Sequence, residues 1–161
     1  MGLERNGDLN PIMADRPLMR NWECIERNEM QPMLLNSSTI SARTYNYWMC
    51  KMMRDNTMDR VYTVENTEGE KTLFVTAGYD AVMKQHIVKV INLSVEPQSF
   101  ILSLDRKIKN RKAEKTCLTA GPEDRVTPLT PDAVFPVKEY ITITSGNSIE
   151  VPGSSFTVYR F

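Results

Sequence analysis

The chain has 161 residues, of which 41% are hydrophobic, a size that suits one globular domain or one domain with a short attached piece. Lysine plus arginine and aspartate plus glutamate both number 20, so the formal net charge is zero. Because no block of like charge indicates a nucleic-acid or acidic-membrane surface, we expect no nucleic-acid partner and no membrane partner.

Metal and disulfide frameworks are also disfavoured. The three cysteines, Cys24, Cys50 and Cys117, are widely spaced, and His86 is the only histidine, so we expect no metal and no cofactor. Met1 to Arg5 lacks the apolar stretch of a signal peptide, and no segment approaches the roughly 20 apolar residues of a membrane span. We expect a soluble chain, and its localisation is open because an export signal would lie upstream of a truncated chain.

The first part of the chain, residues 1–56, predicts a helix, a strand and a second helix. Leu3 to Met13 is compatible with a helix face, and Met33 to Leu35 indicates a short buried strand that enters a polar loop. Arg43 to Asp55 predicts the second helix, because apolar side chains recur there at spacings of three and four. That stripe consists of Tyr45, Trp48, Met49, Met52 and Met53.

From about residue 57 the period changes to two, which indicates a β domain over residues 57–161. Turn formers, Gly78 to Asp80 among them, separate short alternating runs, and this spacing favours an antiparallel sandwich or barrel, of which we expect a β-sandwich, jelly-roll-like. The proline-rich stretch from Pro122 to Pro136 is interpreted as a long connection between sheets. The predicted strands are Arg60 to Val64, Lys71 to Thr76, His86 to Leu93, Ser99 to Leu104, Lys115 to Thr119, Val137 to Thr144 and Ser155 to Phe161.

The helix-strand-helix segment has too little sheet to cover its own apolar faces. Either Met33 to Leu35 requires neighbouring strands from an upstream region, or the segment packs its methionine stripe on the sandwich and forms a compact α+β protein. The pattern alone leaves both alternatives open.

Six segments, in this order along the chain, resemble motifs of the family 51 α-L-arabinofuranosidases. Each motif is weak alone, and their order and spacing together are fairly specific. They are Gly2 to Leu9 (GLERNGDL), Met33 to Ser38 (MLLNSS), Thr44 to Met53 (TYNYWMCKMM), Lys89 to Asn92 (KVIN), Leu118 to Gly121 (LTAG) and Ser154 to Arg160 (SSFTVYR).

The resemblance implies that residues 1–56 are the end of a (β/α)8 catalytic barrel and residues 57–161 the sandwich that follows it. Enzymes of this family are retaining glycosidases that use two glutamates about 5 Å apart. In the family both precede the segment that Gly2 to Leu9 resembles, so we expect no catalytic residue here, and Glu4 is read as a structural helix residue. Substrate-binding residues are unknown.

The implied role is a scaffold or subunit-contact domain of an arabinose-releasing glycosidase. Its implied partners are the upstream catalytic barrel of the same parent, a second copy in a homo-oligomer and an arabinose-containing polysaccharide. The chain departs from the family pattern at Asp15 and Arg16, where an aromatic and a small residue are usual, and at Tyr45, which takes a proline position. These departures leave the sugar preference of the parent open and permit an inactive relative.

The remaining acidic residues and His86 suggest no site. Glu23, Glu26 and Glu29 recur every three residues and are interpreted as a solvated surface. His86 is interpreted as a strand side chain, because a lone imidazole without a second ligand or a nucleophile makes no site. The acidic residues placed at turns, where they would bond to nearby backbone groups, are Asp80, Asp105, Glu123 and Asp124.

An alternative function is carbohydrate binding by the sandwich, since sugar-binding modules present exposed aromatic rings to sugar faces. The candidate rings belong to Tyr62, Tyr79, Tyr140 and Tyr159. Tyrosine in an alternating strand is also a common residue at the edge of a core, with its hydroxyl reaching water, and both interpretations apply to these four.

Overall fold

The computed structural model describes residues 18–24, 32–64, 72–103, 110–119, 121, 124–127 and 129–161, and in these ranges the fold is mainly β. A short 3-10 turn, Trp22–Cys24, follows the first strand. The described elements in chain order are β1 (Met19–Asn21), β2 (Leu34–Asn36), β3 (Ser41–Arg43), α1 (Tyr45–Asp55), β4 (Arg60–Val61), β5 (Leu73–Asp80), β6 (Gln85–Asn92), β7 (Gln98–Ile101), β8 (Arg111–Thr119), β9 (Val137–Ile143), β10 (Ser148–Val151) and β11 (Ser155–Arg160).

The main sheet is antiparallel and has the strand order β4-β5-β6-β11-β8-β9. The last strand, β11, lies near its centre, with Thr157 opposite Val90 of β6 and Cys117 of β8. Because neighbouring side chains on a strand point to opposite faces, this register divides the central strands cleanly between two faces. The predicted antiparallel β-sandwich is confirmed, and the described strands close no barrel.

Both faces of the main sheet are covered. On the first, called the helix face, Ile87, Phe156 and Val158 pack in one cluster with Met52 of α1 and Leu35 of β2. The opposite face, called the hairpin face, carries a second apolar cluster. It includes Val88, Val90 and Tyr159 with Val151 of β10, and Phe100 of β7 packs against it. The strands β7 and β10 pair as a two-stranded antiparallel sheet.

The first part of the chain forms a small sheet of order β1-β2-β3, in which β1 and β2 are parallel and β2 and β3 antiparallel. The β1 strand was missed in the sequence because Met19–Asn21 is too short to show a period. Thr44 joins β3 to α1. Its hydroxyl donates to the Pro32 carbonyl over 2.6 Å and is therefore not used to cap the helix.

Helix α1 is placed by its apolar stripe and by contacts at its carboxyl end. Tyr45, Trp48 and Met53 pack against the cluster that holds Met52. At the last turn, the Asn56 amide donates to the Met52 carbonyl over 2.7 Å, and the fully buried Lys89 of β6 donates from Nζ to the Met53 carbonyl over 3.4 Å. A cation is favoured there, because the last carbonyls of a helix carry partial negative charge.

The seven predicted strands are confirmed with shifted bounds. Two bounds shift by four residues: β8 begins at Arg111, and β5 continues through Gly78 to Asp80, which was interpreted as a turn. A Cβ at Gly78 would lie 2.3 Å from the Arg60 carbonyl oxygen and 2.6 Å from Met58 Sδ, so the close approach of β4 explains the glycine. The strand β10 was missed because Ser148–Val151 lies between two turn signals.

The predicted helix Leu3 to Met13 and the motif Gly2 to Leu9 lie outside the described residues. The predicted second helix is confirmed from Tyr45, two residues later than its predicted start, and the strand predicted at Met33 to Leu35 is Leu34–Asn36. The domain boundary after residue 56 stays a prediction, and α1 packs on the main sheet across it.

Two loops at one end of the sandwich are joined by Asn92, which is fully buried. Its Nδ2 donates to the carbonyls of Glu96 and Pro152, each over 3.0 Å, and its Oδ1 accepts from the Ser94 amide over 2.9 Å. The loops are also close enough that a Cβ at Gly153 would lie 2.0 Å from the Val95 carbonyl oxygen. Asn92 therefore holds the β6–β7 loop against the β10–β11 turn.

We expect Met52→Ala to lower the free energy of unfolding by about 3 kcal/mol, because it leaves a cavity between α1 and the main sheet. The matched control is Met49→Ala on the same helix, where the side chain is 37% exposed and we expect a change below about 1 kcal/mol. Urea unfolding followed by tryptophan fluorescence measures both. Equal losses for the two variants would contradict the packing described for α1.

Candidate functional site

A polar cavity of about 460 Å³ opens at the carboxyl ends of the parallel strands β1 and β2. Side chains at the carboxyl ends of two neighbouring parallel strands lie at the same edge of a sheet. This explains why residues that are distant in sequence line the cavity together. The described residues that line it are Met19, Arg20, Asn21, Glu23, Asn36, Ser37 and Ser38.

Hydrogen bonds fix the polar groups of this cavity. Asn21 Oδ1 accepts from the Glu23 amide over 3.2 Å, and Asn36 Oδ1 accepts from the Ser41 hydroxyl over 2.7 Å. Ser37 Oγ accepts from the Ile40 amide over 3.0 Å. Among the described lining residues Glu23 alone carries a carboxylate, whereas hydrolysis with retention requires two, so these residues can bind a polar ligand and lack a pair for that reaction.

The outer edge of β1 faces no other strand within the described ranges, because β1 is the end strand of its sheet. Leu18 and Met19 are 60% and 52% exposed along it. Parallel strands normally lie inside larger sheets that are covered on both faces, so an open parallel edge with exposed apolar residues is the kind of surface that another strand covers.

A second, apolar groove of about 260 Å³ lies between the start of α1, the end of β6 and the start of β11. Tyr45, Met49 and Phe156 form much of its wall. Burial, and then the nearby charge of Asp124, raise the pKa of the Tyr45 hydroxyl to about 12, although that hydroxyl has no hydrogen bond of ordinary geometry among the described residues. The groove offers hydrophobic contact and no reactive group.

His86 belongs to an aromatic group at one end of the hairpin face. Its Nδ1 lies 2.9 Å from the Tyr62 hydroxyl, and its ring centroid is 5.3 Å from that of Tyr79 and 5.6 Å from that of Phe161. Burial, and then the positive charge of Arg111, hold the pKa of His86 below its usual value. The side chain is a packing element, and no partner for catalysis contacts it among these rings.

The four candidate tyrosines fall into three environments. Tyr159 is fully buried between the two sheets, and burial raises the pKa of its hydroxyl. Tyr62 and Tyr79 are half-buried beside His86. Tyr140, on the edge strand β9, is 78% exposed, so it is the one of the four whose ring is available to a ligand.

Asp80 ends β5 and does not lie within a turn, but its carboxylate, like that of Asp124, accepts hydrogen bonds from nearby backbone amides as predicted. Asp80 Oδ1 accepts from the amides of Val82 and Met83, and Oδ2 pairs with Arg160 of β11. Asp124 Oδ2 accepts from the Gly121 amide over 2.8 Å. The other residues weighed in the sequence lie outside the described ranges: Glu4, Asp15, Arg16, Glu26, Glu29, Asp105 and Glu123.

No disulfide joins Cys24, Cys50 or Cys117. Histidine, cysteine, aspartate and glutamate side chains form no group of three that could hold a metal ion in the part of the chain that the structure describes. Within that part, no helix has the length and apolar character needed to cross a membrane.

No protein-family model matches the chain, and no curated protein matches it in sequence. Solved structures do match. An arabinose-bound GH51 α-L-arabinofuranosidase, MgGH51, superimposes on 99% of this chain with a TM-score of 0.85 and 19% sequence identity. The α-L-arabinofuranosidase of Thermotoga maritima, in complex with arabinose, superimposes on 81% with a TM-score of 0.68 and 17% identity.

This chain spans 25% of the length of the first enzyme and 31% of the second. A β-porphyranase of family 86 from Bacteroides plebeius also matches, over 80% of this chain and 22% of its own, with a TM-score of 0.56 and 13% identity. The resemblance to the family 51 enzymes is confirmed at the level of fold. The chain has the fold of one part of such an enzyme.

We expect the stabilising contribution of His86 to depend on pH. Because the folded-state pKa lies below the usual 6.5, the neutral ring is favoured in the fold. Its contribution is complete above about pH 6.5 and is lost as the pH falls through the lower folded-state pKa. The difference in urea midpoint between the wild type and His86→Gln should therefore shrink from pH 7.5 towards pH 5. A difference in urea midpoint that grows as the pH falls would contradict the predicted direction of this pH dependence.

Proposed function

We propose that this chain is the non-catalytic C-terminal part of an α-L-arabinofuranosidase, in which it supports the catalytic barrel and provides subunit contacts. The observation that supports this proposal most directly is the structural match of 99% of this chain to 25% of an arabinofuranosidase. A chain that reproduces one part of an enzyme so completely is best explained as that part.

The open edge of β1 is evidence that the partner of this chain is an upstream barrel. In a (β/α)8 barrel every strand is parallel to its neighbours, and β1 and β2 have that pairing. Leu18 and Met19 would be covered by the preceding barrel strand, and α1, as the last helix of the barrel, would join it to the sandwich. The upstream barrel of the same parent is accordingly the proposed partner of this edge.

The parent would remove terminal α-L-arabinofuranosyl units from arabinan or arabinoxylan with retention, as part of arabinose metabolism. The polar cavity beyond β1 and β2 would then form one wall of its substrate site, because barrel enzymes bind at the carboxyl ends of their strands. With Glu23 as the single carboxylate among the described lining residues, the reacting pair would come from the upstream barrel.

A second candidate function is carbohydrate binding by the sandwich itself. The observation that favours it is the exposure of Tyr140, because a ring on a strand face stabilises the fold little when it is 78% exposed.

We expect the purified chain to release no arabinose above background from an aryl α-L-arabinofuranoside or from arabino-oligosaccharides, because a retaining mechanism needs two carboxylates. A full-length family 51 enzyme is the positive control, and Glu23→Gln should give the same background as the wild type. Turnover that survives repurification and falls in Glu23→Gln would overturn the non-catalytic assignment.

The chain alone should self-associate through the β1 edge, because exposed apolar residues on an open strand favour pairing. Met19→Lys places a charge on that edge and should lower the self-association constant about tenfold in sedimentation equilibrium. The matched control is Val82→Lys in the β5–β6 turn, which belongs to the main sheet and not to the β1 sheet. The Val82 side chain is 84% exposed, and the substitution should leave the constant unchanged. A monomer at all concentrations would contradict the proposal for this edge.

A further inference from the structure

We propose that the helix face of β8 and β9 carries a binding strip for a neutral polysaccharide, centred on Tyr140. The register places Tyr140 opposite Glu114, with Thr142 opposite Lys112 and Lys138 opposite Thr116. Alternate residues share a face, so Lys138, Tyr140 and Thr142 of β9 lie on one side of the sheet together with Lys112 and Glu114 of β8. These five residues are called the β8–β9 strip.

The strip is the part of the helix face that the core leaves uncovered. Further along β8, Leu118 is buried in one cluster with Val126 and Val134, which belong to the long connection between β8 and β9. In contrast, Lys138, Tyr140 and Thr142 are all exposed. The exposed tyrosine therefore lies on a flat, accessible surface beside a covered one.

The charges next to the ring are paired with each other. Lys138 Nζ lies 2.7 Å from Glu114 Oε1, and Glu114 is the direct cross-strand neighbour of Tyr140. Because Glu114 neutralises Lys138 beside the ring, this pair supplies a hydrogen-bond donor and an acceptor with no net charge, while Lys112, two residues along β8, adds a positive charge at the end of the strip.

A sugar ring matches both features. Its face of C–H groups can lie on the tyrosine ring, which is apolar with a polar tip, while its hydroxyls accept from Lys138 and donate to Glu114. The extended strands would allow further rings of the polymer to run along Thr142 and Lys112. The tyrosine ring and the neutral ion pair beside it therefore fit an uncharged polyhydroxylated chain.

Structural requirements do not explain Tyr140. Edge strands are commonly protected from pairing by charged residues, which β9 has in Lys138 and Glu139. A tyrosine directly after them adds exposed aromatic surface and little core contact. Tyr159 and Tyr62, by contrast, pack within the hairpin-face cluster.

The test is affinity electrophoresis of the whole chain in gels that contain debranched arabinan, arabinoxylan or polygalacturonate, followed by calorimetric titration. We expect retardation by at least one of the two neutral polymers and a loss of affinity of roughly two- to tenfold in Tyr140→Ala, the size of one aromatic contact. Tyr140→Trp should retain binding. The matched control is Phe135→Ala, which removes another exposed ring, 60% exposed, outside the strip and should bind as the wild type does.

Three results would overturn the proposal: no retardation of the wild type, equal binding by Tyr140→Ala, or retardation by polygalacturonate alone. Sedimentation of the same variants tests whether a second copy of the chain binds the strip instead of a polysaccharide. A change of association state in Tyr140→Ala without a change in sugar affinity would assign the strip to that second copy. Circular dichroism checks that each variant is folded. This proposal rests on the second candidate function given above. Its outcomes are separate from the release of arabinose, so it and the non-catalytic assignment can fail independently.

Discussion

The central strands of the main sheet have apolar side chains on both faces, and the remaining architecture follows from the need to cover them. In β11, Phe156 and Val158 point to the helix face, and Tyr159 points to the hairpin face. Two layers must therefore pack on one sheet: α1 with the β1–β3 sheet on one side, and β7 with β10 on the other. Removing either layer would expose to water an apolar face that is buried in the fold.

This constraint also explains Lys89. Its strand position directs the side chain towards the helix face, where the surroundings are apolar, and a buried ammonium requires polar partners. The Met53 carbonyl at the end of α1 is one of them. The contact couples the end of the helix to the centre of the sheet, which gives the junction between the two parts of the chain a defined geometry.

The sequence predicted the fold class and most strands, because their alternation reflects burial on one or two faces. It failed where the cause lies elsewhere in the fold. Gly78 suggests a turn unless the approach of Met58 and Arg60 is known, and Met19–Asn21 becomes a strand only through its pairing with β2. The polar cavity was missed for the same reason, since nothing local indicates that Asn21 and Asn36 lie together. Tyr140 was among the candidates, but its exposure depends on where the connection between β8 and β9 packs.

Because of the hydrogen bonds of Asn92, the two ends of the sandwich differ in how readily they can accept inserted residues. At one end, the β6–β7 loop and the β10–β11 turn are joined through Asn92 and have no room beside Gly153, so added residues there would separate the two loops. At the other end, a Cβ on Gly146 would meet no atom within 4 Å, and its turn is exposed. A peptide tag or a fused domain inserted at Gly146 would leave the hydrogen bonds of Asn92 in place, which makes that turn the natural attachment point on this scaffold.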